Sequence, residues 1–456
     1  MGQLVADGHQ LTPDAADADV IVVNTCSFID PAKQESVDTI LEMAEYKKSG
    51  KAQRLVVAGC LVERYRDDIQ KTLPEVDAVL GTNELAKITA LCEGLTPKEL
   101  PVEPYLYHDL TARVFSTPRH SAYIKIAEGC DHPCTFCVIP QFRGQFRSRR
   151  PESVVNEAKR MFASGVREIN LIGQDTTCYG EDLGLKDGLA DLLGRLATIP
   201  SDTAKWIRVL YVYPNKVNQR LLDTIAAHES LVKYIDMPLQ HASAATLKRM
   251  KRGAHGDIFL RLLDRIRATI PGVAIRTSMI VGFPGETEAE FEELRQFVQA
   301  AQFDRLGVFS YSDEETSASY HLGDKVDKRT IYHRKRALMA LQRRISLKRN
   351  KRLVGQELPV LIEGPSKETE LLWEARLATQ APEIDGVCYI NDFGEAGEAP
   401  RPGEMRRLLI TEAHDYDLVG TLADEPESSF AMRTVTNPFP ILQIPTTSRS
   451  AAIPVR

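Results

Sequence analysis

A chain of 456 residues with 43% hydrophobic and 26% charged residues has the make-up of a globular protein of about three domains, which excludes disordered, collagen-like and fibrous classes. The net charge of −6 says little about partners, and no run of about 18 apolar residues occurs, so no membrane span is expected. Eight cysteines are too few for a disulfide scaffold, and Met1-Gly2-Gln3-Leu4 lacks the basic and apolar regions of a signal peptide, so the expected setting is a reducing cytoplasm.

In the first hundred residues, apolar runs at 20–23, 55–58 and 78–80 end at Asn24-Thr25-Cys26, Gly59-Cys60 and Gly81-Thr82. Helix patterns, the first over 33–47, lie between them. This predicts an open parallel-sheet α/β unit. Residues 97–118 are Pro-rich and read as a linker. From 120 to 330, strand patterns at 123–127, 168–172, 207–212, 234–237, 274–281 and 305–311 alternate with helix patterns at 151–163, 188–198, 218–227, 257–270 and 286–301. Six βα units in series predict a partial (β/α)6 barrel.

A helix then leads out, and every charge in 331–355 is basic. Strand patterns at 359–362, 387–390 and 407–411, with Gly and Pro turns, predict a small all-β module. The Pro-, Ser- and Thr-rich residues 426–456 are expected to be disordered. The expected domains are 1–105, 116–353 and 354–423, followed by a tail over 424–456. The charge is unevenly placed. Residues 356–423 hold 14 Asp/Glu against five Lys/Arg. Such a surface repels RNA phosphates and attracts a basic protein.

The most specific feature is Cys130-Asp131-His132-Pro133-Cys134-Thr135-Phe136-Cys137, a C-x3-C-x2-C spacing directly after the first barrel strand. Three close thiolates can wrap one corner of an iron–sulfur cube and leave its fourth iron open. A structural zinc site wants four ligands; His132 is the one local candidate, and it would have to fold back within the same tight loop. Carboxyl ends of barrel strands build active sites, so the open-iron cluster is the preferred reading.

This triplet, with Phe136 before its last cysteine, resembles that of the radical S-adenosylmethionine (SAM) enzymes. The resemblance implies a 4Fe–4S cluster on Cys130, Cys134 and Cys137, with SAM on its open iron and reductive cleavage to a radical. Other strand ends carry suitable groups. Gly173-Gln174-Asp175 follows the second strand, and Gln174, Asp175 and Arg208 are the expected SAM contacts, against a bland alternative of polar strand capping. Gly282-Phe283-Pro284-Gly285 resembles the superfamily's Gly-rich turn, which implies that Gly282 and Gly285 let backbone approach the adenine.

Cys26 and Cys60 end neighbouring strand runs. Position alone leaves two readings open, a second metal site or two small buried cysteines. The segments 19–26 and 57–61, with Met237-Pro238-Leu239-Gln240-His241, 276–286 and 311–315, resemble the radical-SAM methylthiotransferases. That resemblance covers residues 1 to about 423 and names the last module a TRAM domain. It implies a second, auxiliary 4Fe–4S cluster held by three cysteines, of which Cys26 and Cys60 match two. The family's first such cysteine lies in a Gly-Cys-Pro-Lys-Asn-like loop, and Met1 is expected to follow that point. Cys92 and Cys388 are expected in cores, and Cys178 beside the barrel site.

The branch most resembled methylthiolates the β-carbon of an aspartate in the small-subunit ribosomal protein numbered twelve. A basic ribosomal protein and an electron donor are therefore the expected partners, and tRNA is not. Two alternatives are a tRNA adenosine methylthiotransferase and a non-catalytic iron–sulfur or zinc-binding relative.

Overall fold

Val20–Thr25, Arg54–Gly59 and Ala78–Leu80 lie side by side as parallel strands, Thr25 opposite Gly59 and Val57 opposite Val79. The computed structural model that contains them describes residues 1–95, 105–201, 203–394 and 397–424, and the backbone of 452–455. The central residues 21–23, 55–58 and 78–80 of these strands are all apolar because both faces are covered. Ile40 and Met43 of the helix Asp30–Ser49, with Leu61 and Ile69 of Cys60–Thr72, pack on Ile21, Val23, Leu55 and Val57. Leu4, Ile88 and Cys92 cover the other face. Ala452–Val455 runs antiparallel along the outer edge of Val20–Thr25, so these four residues are a strand rather than the expected disorder. The rest of the tail, 425–451 and 456, lies outside the described residues, as does 96–104 of the linker.

The central unit is two three-stranded parallel sheets. One holds Ser121–Lys125, Glu168–Ile172 and Trp206–Val209; the other holds Tyr234–Asp236, Ala274–Val281 and Arg305–Ser310. The bridge between Ile207 and Leu231 and the 2.8 Å bond from Val212 N to Asp236 O join them. Among the described residues the first and sixth strands do not pair, so the barrel is partial. The helices Pro151–Ala163, Gly188–Ala197, Gln219–Ala227, Gly256–Thr269, Glu288–Ala301 and Lys328–Asn350 alternate with the strands.

Two differences from the predicted strands shape the site. The first strand ends at Lys125, and Ala127–Glu128 pair instead with Arg147–Ser148, closing the cysteine loop at its base. The third strand ends at Val209, because Tyr211 adopts a left-handed φ of 61° that a continuing strand cannot hold.

The last module is a closed five-stranded barrel of Glu357–Pro365, Trp373–Leu377, Cys388–Asp392, Leu418–Leu422 and Met405–Ala413, in that order around it. Val360, Ile362, Cys388, Leu408 and Leu418 fill it. It is bolted to the central unit through buried charges. Glu168 accepts from Arg208 Nη2 at 2.9 Å and Arg376 Nη2 at 2.5 Å. Arg208 also donates to the carbonyls of Ala378 (2.9 Å) and Gln380 (3.1 Å). Among the described residues, no helix is long and apolar enough to cross a membrane.

Candidate active site

The cysteine loop rises from the carboxyl end of the first barrel strand. Gly129 sits at φ +81°, and a Cβ there would lie 2.2 Å from Gln145 O, so the turn into Cys130 demands glycine. Cys130 N donates to Gly144 O at 3.2 Å and Cys137 N to Cys134 O at 3.1 Å. Thr135 ties the loop to the fourth barrel segment, its N donating to Met250 O and its hydroxyl to Arg249 O. All three cysteines are free and half-buried.

Burial pushes the Cys130 thiol up to about 11, helped by the charges of Asp175 and Cys134. Burial also pushes Cys137 up to about 12, with Cys134 and Cys130 adding to it. Thiols raised in this way, as Cys130 and Cys137 are, need nearby positive charge to ionise, which a metal cluster supplies. Arg252 Nη1 lies 3.6 Å from Cys134 Sγ and contributes a fixed cation there. Arg252 is held by Pro238 O at 2.6 Å and by the Tyr213 ring, 4.2 Å from its guanidinium carbon.

His132 does not turn in as a fourth ligand. Its Nε2 meets Asp175 Oδ2 at 2.6 Å, and its ring stacks on Tyr213 with centroids 3.8 Å apart. The donor set in the loop is therefore three thiols, the set that fits a cube with one open iron and not a closed zinc site.

The expected SAM contacts fall into different places. Gln174 Oε1 accepts from Gly129 N at 2.8 Å and so holds the cysteine loop. Asp175 is buried. Burial works to raise its carboxyl, but bonds from His132, Thr177 and Cys178 outweigh that and hold it below the usual range. Cys178 donates to Asp175 Oδ2 at 3.1 Å, beside the barrel site. Burial, with the Asp175 charge, drives its thiol far up.

Arg208 is a correction. It is fully buried, and its guanidinium is engaged by Glu168, Asn170 and the two carbonyls of the last module, so it belongs to the joint between units. Gly282 (φ +81°) and Gly285 (φ +74°) form a left-handed turn. A Cβ on Gly282 would stand 2.2 Å from Ile331 Cγ1, so the glycine makes room for the last helix. Its amide donates to the buried Glu286.

In the first unit, the register of Thr25 against Gly59 sets Cys26 and Cys60 at adjacent strand ends. Gly59, at φ +106°, allows the approach; a Cβ there would lie 2.5 Å from Thr25 O. Ser27 Oγ donates to Cys60 O at 3.0 Å, and Ser36 Oγ holds the backbone of Cys26. Burial raises the Cys60 thiol, Arg143 opposes that, and the Cys26 charge adds to it. Cys26 is exposed and Cys60 half-buried. Cys92 lies in the sheet core and Cys388 in the small barrel, so among the described residues neither can join the pair.

Arg143 links the two cysteine sites. It ends the short helix Ile139–Arg143 in the triplet loop, and its Nη2 reaches Cys60 Sγ at 3.5 Å. Glu314, buried on the loop after the sixth strand, binds Arg64 (2.8 Å) and Lys33 (2.9 Å) of the first unit. Sequence reading missed Arg143, Arg252 and Glu314. Arg143 and Arg252 lie outside every motif in the sequence, and only the fold brings them to the cysteines.

The chain matches the Radical SAM superfamily over residues 124–298, the Uncharacterized protein family UPF0004 over residues 1–81 and the TRAM domain over residues 354–423. It is 73% identical to the ribosomal protein uS12 methylthiotransferase RimO of Solibacter usitatus, over 92% of this chain and 90% of that relative. The RimO of Koribacter versatilis is 55% identical, over 92% of each chain. That of Myxococcus xanthus is 48% identical, over 96% of this chain and 91% of the relative.

Proposed function

Because the chain belongs to the RimO family of radical-SAM ribosomal protein uS12 methylthiotransferases, we propose that it adds a methylthio group to the β-carbon of an aspartate in uS12. The observation that carries this reading is the convergence of three free thiols at the first barrel-strand end, joined through Arg143 to Cys60 of a second cysteine pair.

In this reading Cys130, Cys134 and Cys137 hold a 4Fe–4S cluster and leave one iron for SAM. That cluster, when bound, supplies the electron for reductive cleavage of SAM, and an electron donor must recharge it. Gln174 fixes the turn that aims Cys130. Arg252 keeps a cation beside Cys134. His132 and Asp175 brace each other, and Tyr213 stacks on the imidazole, so the loop keeps its shape.

Cys26 and Cys60, at adjacent strand ends, supply two ligands of the auxiliary 4Fe–4S cluster in this proposal. Gly282 and Gly285 keep the fifth-strand turn tight enough for SAM to lie against its backbone. The acidic TRAM module docks the basic uS12. The relatives' names favour uS12 over tRNA, and in this reading the enzyme works in the cytoplasm, where its ribosomal substrate is made.

The test is anaerobic reconstitution with iron and sulfide, followed by reaction with SAM, a low-potential reductant and uS12. A methylthio mass increment on one uS12 aspartate is expected, together with 5′-deoxyadenosine. Methylthioadenosine in tRNA with unmodified uS12 would overturn the substrate, and failure to bind iron or cleave SAM would overturn the chemistry.

A further inference from the structure

Where the barrel strands begin, the ends of the helices Gly256–Thr269 and Lys328–Asn350 meet the last module around a cavity of about 410 Å3. Ligand pockets span about 300–1,000 Å3. Four arginines, Arg267, Arg305, Arg349 and Arg352, line this one, and Asp304 is the one acidic residue among the lining residues. We infer that this cavity is a binding site for a phosphate-bearing ligand, independent of the reaction proposed above.

The argument rests on which donors are already engaged. Asp304 is fully committed: Oδ1 accepts from Arg349 Nε at 2.6 Å and Oδ2 from Ile275 N at 2.8 Å. Arg267 Nη2 donates to the carbonyls of Ala301 (2.7 Å) and Gln302 (3.1 Å), and Arg349 Nη1 reaches Gln302 O at 3.2 Å. Capping of helix-end carbonyls thus accounts for those two arginines. It does not account for the other two.

Arg305 is only 9% exposed, its Nε has no partner, and its Nη1 meets just the carbonyl of Asp304 at 3.2 Å. Among the described residues no carboxylate pairs with it. A buried guanidinium with unmet donors and no counter-charge is costly. Arg352, exposed at the rim, likewise has no acidic partner among the described residues. A phosphate would supply the missing acceptors, because its oxygens match the guanidinium fork.

Two sources offer that chemistry, a free polyphosphate such as a nucleotide and the backbone of an RNA strand. The exposed Lys335, Arg336, Arg344 and Lys348 lie along the helix that ends at the cavity, and a strand of RNA would use them where a small anion would not.

Calorimetric titration of the full chain with sodium tripolyphosphate and with a short single-stranded RNA tests the site. Saturable tripolyphosphate binding is expected, weakened about tenfold or more by Arg352→Glu and by Arg305→Met. Arg352 is exposed, so its variant keeps the test valid if Arg305→Met fails to fold, which a thermal melt reports. An RNA source is identified by RNA that competes with tripolyphosphate and is weakened by Lys335→Glu with Arg344→Glu. A free polyphosphate is identified by binding of tripolyphosphate alone, unchanged by that pair. The site is overturned if neither probe saturates at millimolar concentration, or if Arg352→Glu binds as the parent does.

Discussion

Arg143 Nη2 lies 3.5 Å from Cys60 Sγ, across the boundary between the N-terminal sheet and the barrel. Glu128 holds the other side of the guanidinium at 2.9 Å and is itself bound by Lys125 at 2.7 Å. Only five residues separate Arg143 from Cys137. The two cysteine sites therefore share one short piece of backbone.

Arg143→Met removes a charge-assisted bond to a sulfur that the proposed reaction needs. Such bonds are worth about 1.5–3 kcal/mol, so methylthiolation of uS12 should fall about ten- to hundredfold. SAM cleavage without uS12 should stay near the parent rate, because Arg143 does not touch the triplet thiols. Parallel assays of 5′-deoxyadenosine and of modified uS12 separate the two effects. Equal loss of both would remove the link to Cys60.

Replacing Cys130, Cys134 and Cys137 together by Ala should abolish SAM cleavage and lower bound iron by one cluster's content. Continued 5′-deoxyadenosine formation under reducing anaerobic conditions would end the assignment. The variant should still fold, since none of the three belongs to a hydrophobic core cluster.

Glu314 sits between Lys33 and Arg64, and Arg64 is itself only 4% exposed at its side chain. Glu314→Ala leaves a nearly buried guanidinium without its counter-charge, a change that costs about 3–5 kcal/mol in buried pairs. Urea unfolding should show that loss. A change under about 1 kcal/mol would mean that solvent reaches the pair.

Acid should loosen the joint between barrel and TRAM module. Burial works to raise Glu168, but Arg376 and then Arg208 outweigh it and hold its carboxyl at about 2 against an ordinary 4.5. A folded pKa below the unfolded one gives stability that is complete above about pH 4.5 and lost as pH falls towards 2, about 3 kcal/mol in all. Glu168→Gln should lower stability at neutral pH and flatten its decline over that window. An unchanged slope in pH-dependent denaturation would show that other carboxylates govern it.

Several acids of the TRAM module are already paired: Glu363 with Arg376, Asp415 with Arg343 and Asp385 with Arg276. Glu395 lies outside the described residues. The proposed docking of uS12 on this module therefore calls on exposed acids such as Glu368, Glu370 and Glu398. Reversing these three to Lys should weaken uS12 binding and reduce its salt dependence while leaving SAM cleavage intact. Unchanged binding and modification would show that the acidity serves solubility alone.

The cysteines were legible because spacing and strand ends are local properties. The triplet follows a strand directly, and Cys26 and Cys60 end matched apolar runs. Arg208 was misread because a polar residue on a barrel strand looks like a ligand contact until the Ala378 and Gln380 carbonyls of a distant segment appear beside it. Trp373–Leu377 and Leu418–Leu422 escaped notice because WEARL, though alternating, is five residues built largely of good helix formers, and LVGTL is broken by a central glycine. Arg143 and Glu314 act across a domain boundary, and no periodicity within one segment can show that.

The Glu168 bracket has a consequence for how the target is chosen. Arg208 reaches up from the barrel and Arg376 down from the module, and both close on one buried carboxylate. The docking module is thus an outrigger set at a fixed offset, not an arm on a hinge. If uS12 docks on that module as proposed, its aspartate is selected by how far it stands from the docked surface, as on a ruler: sliding the same loop a few residues along uS12 would carry it out of reach without altering a single neighbouring side chain.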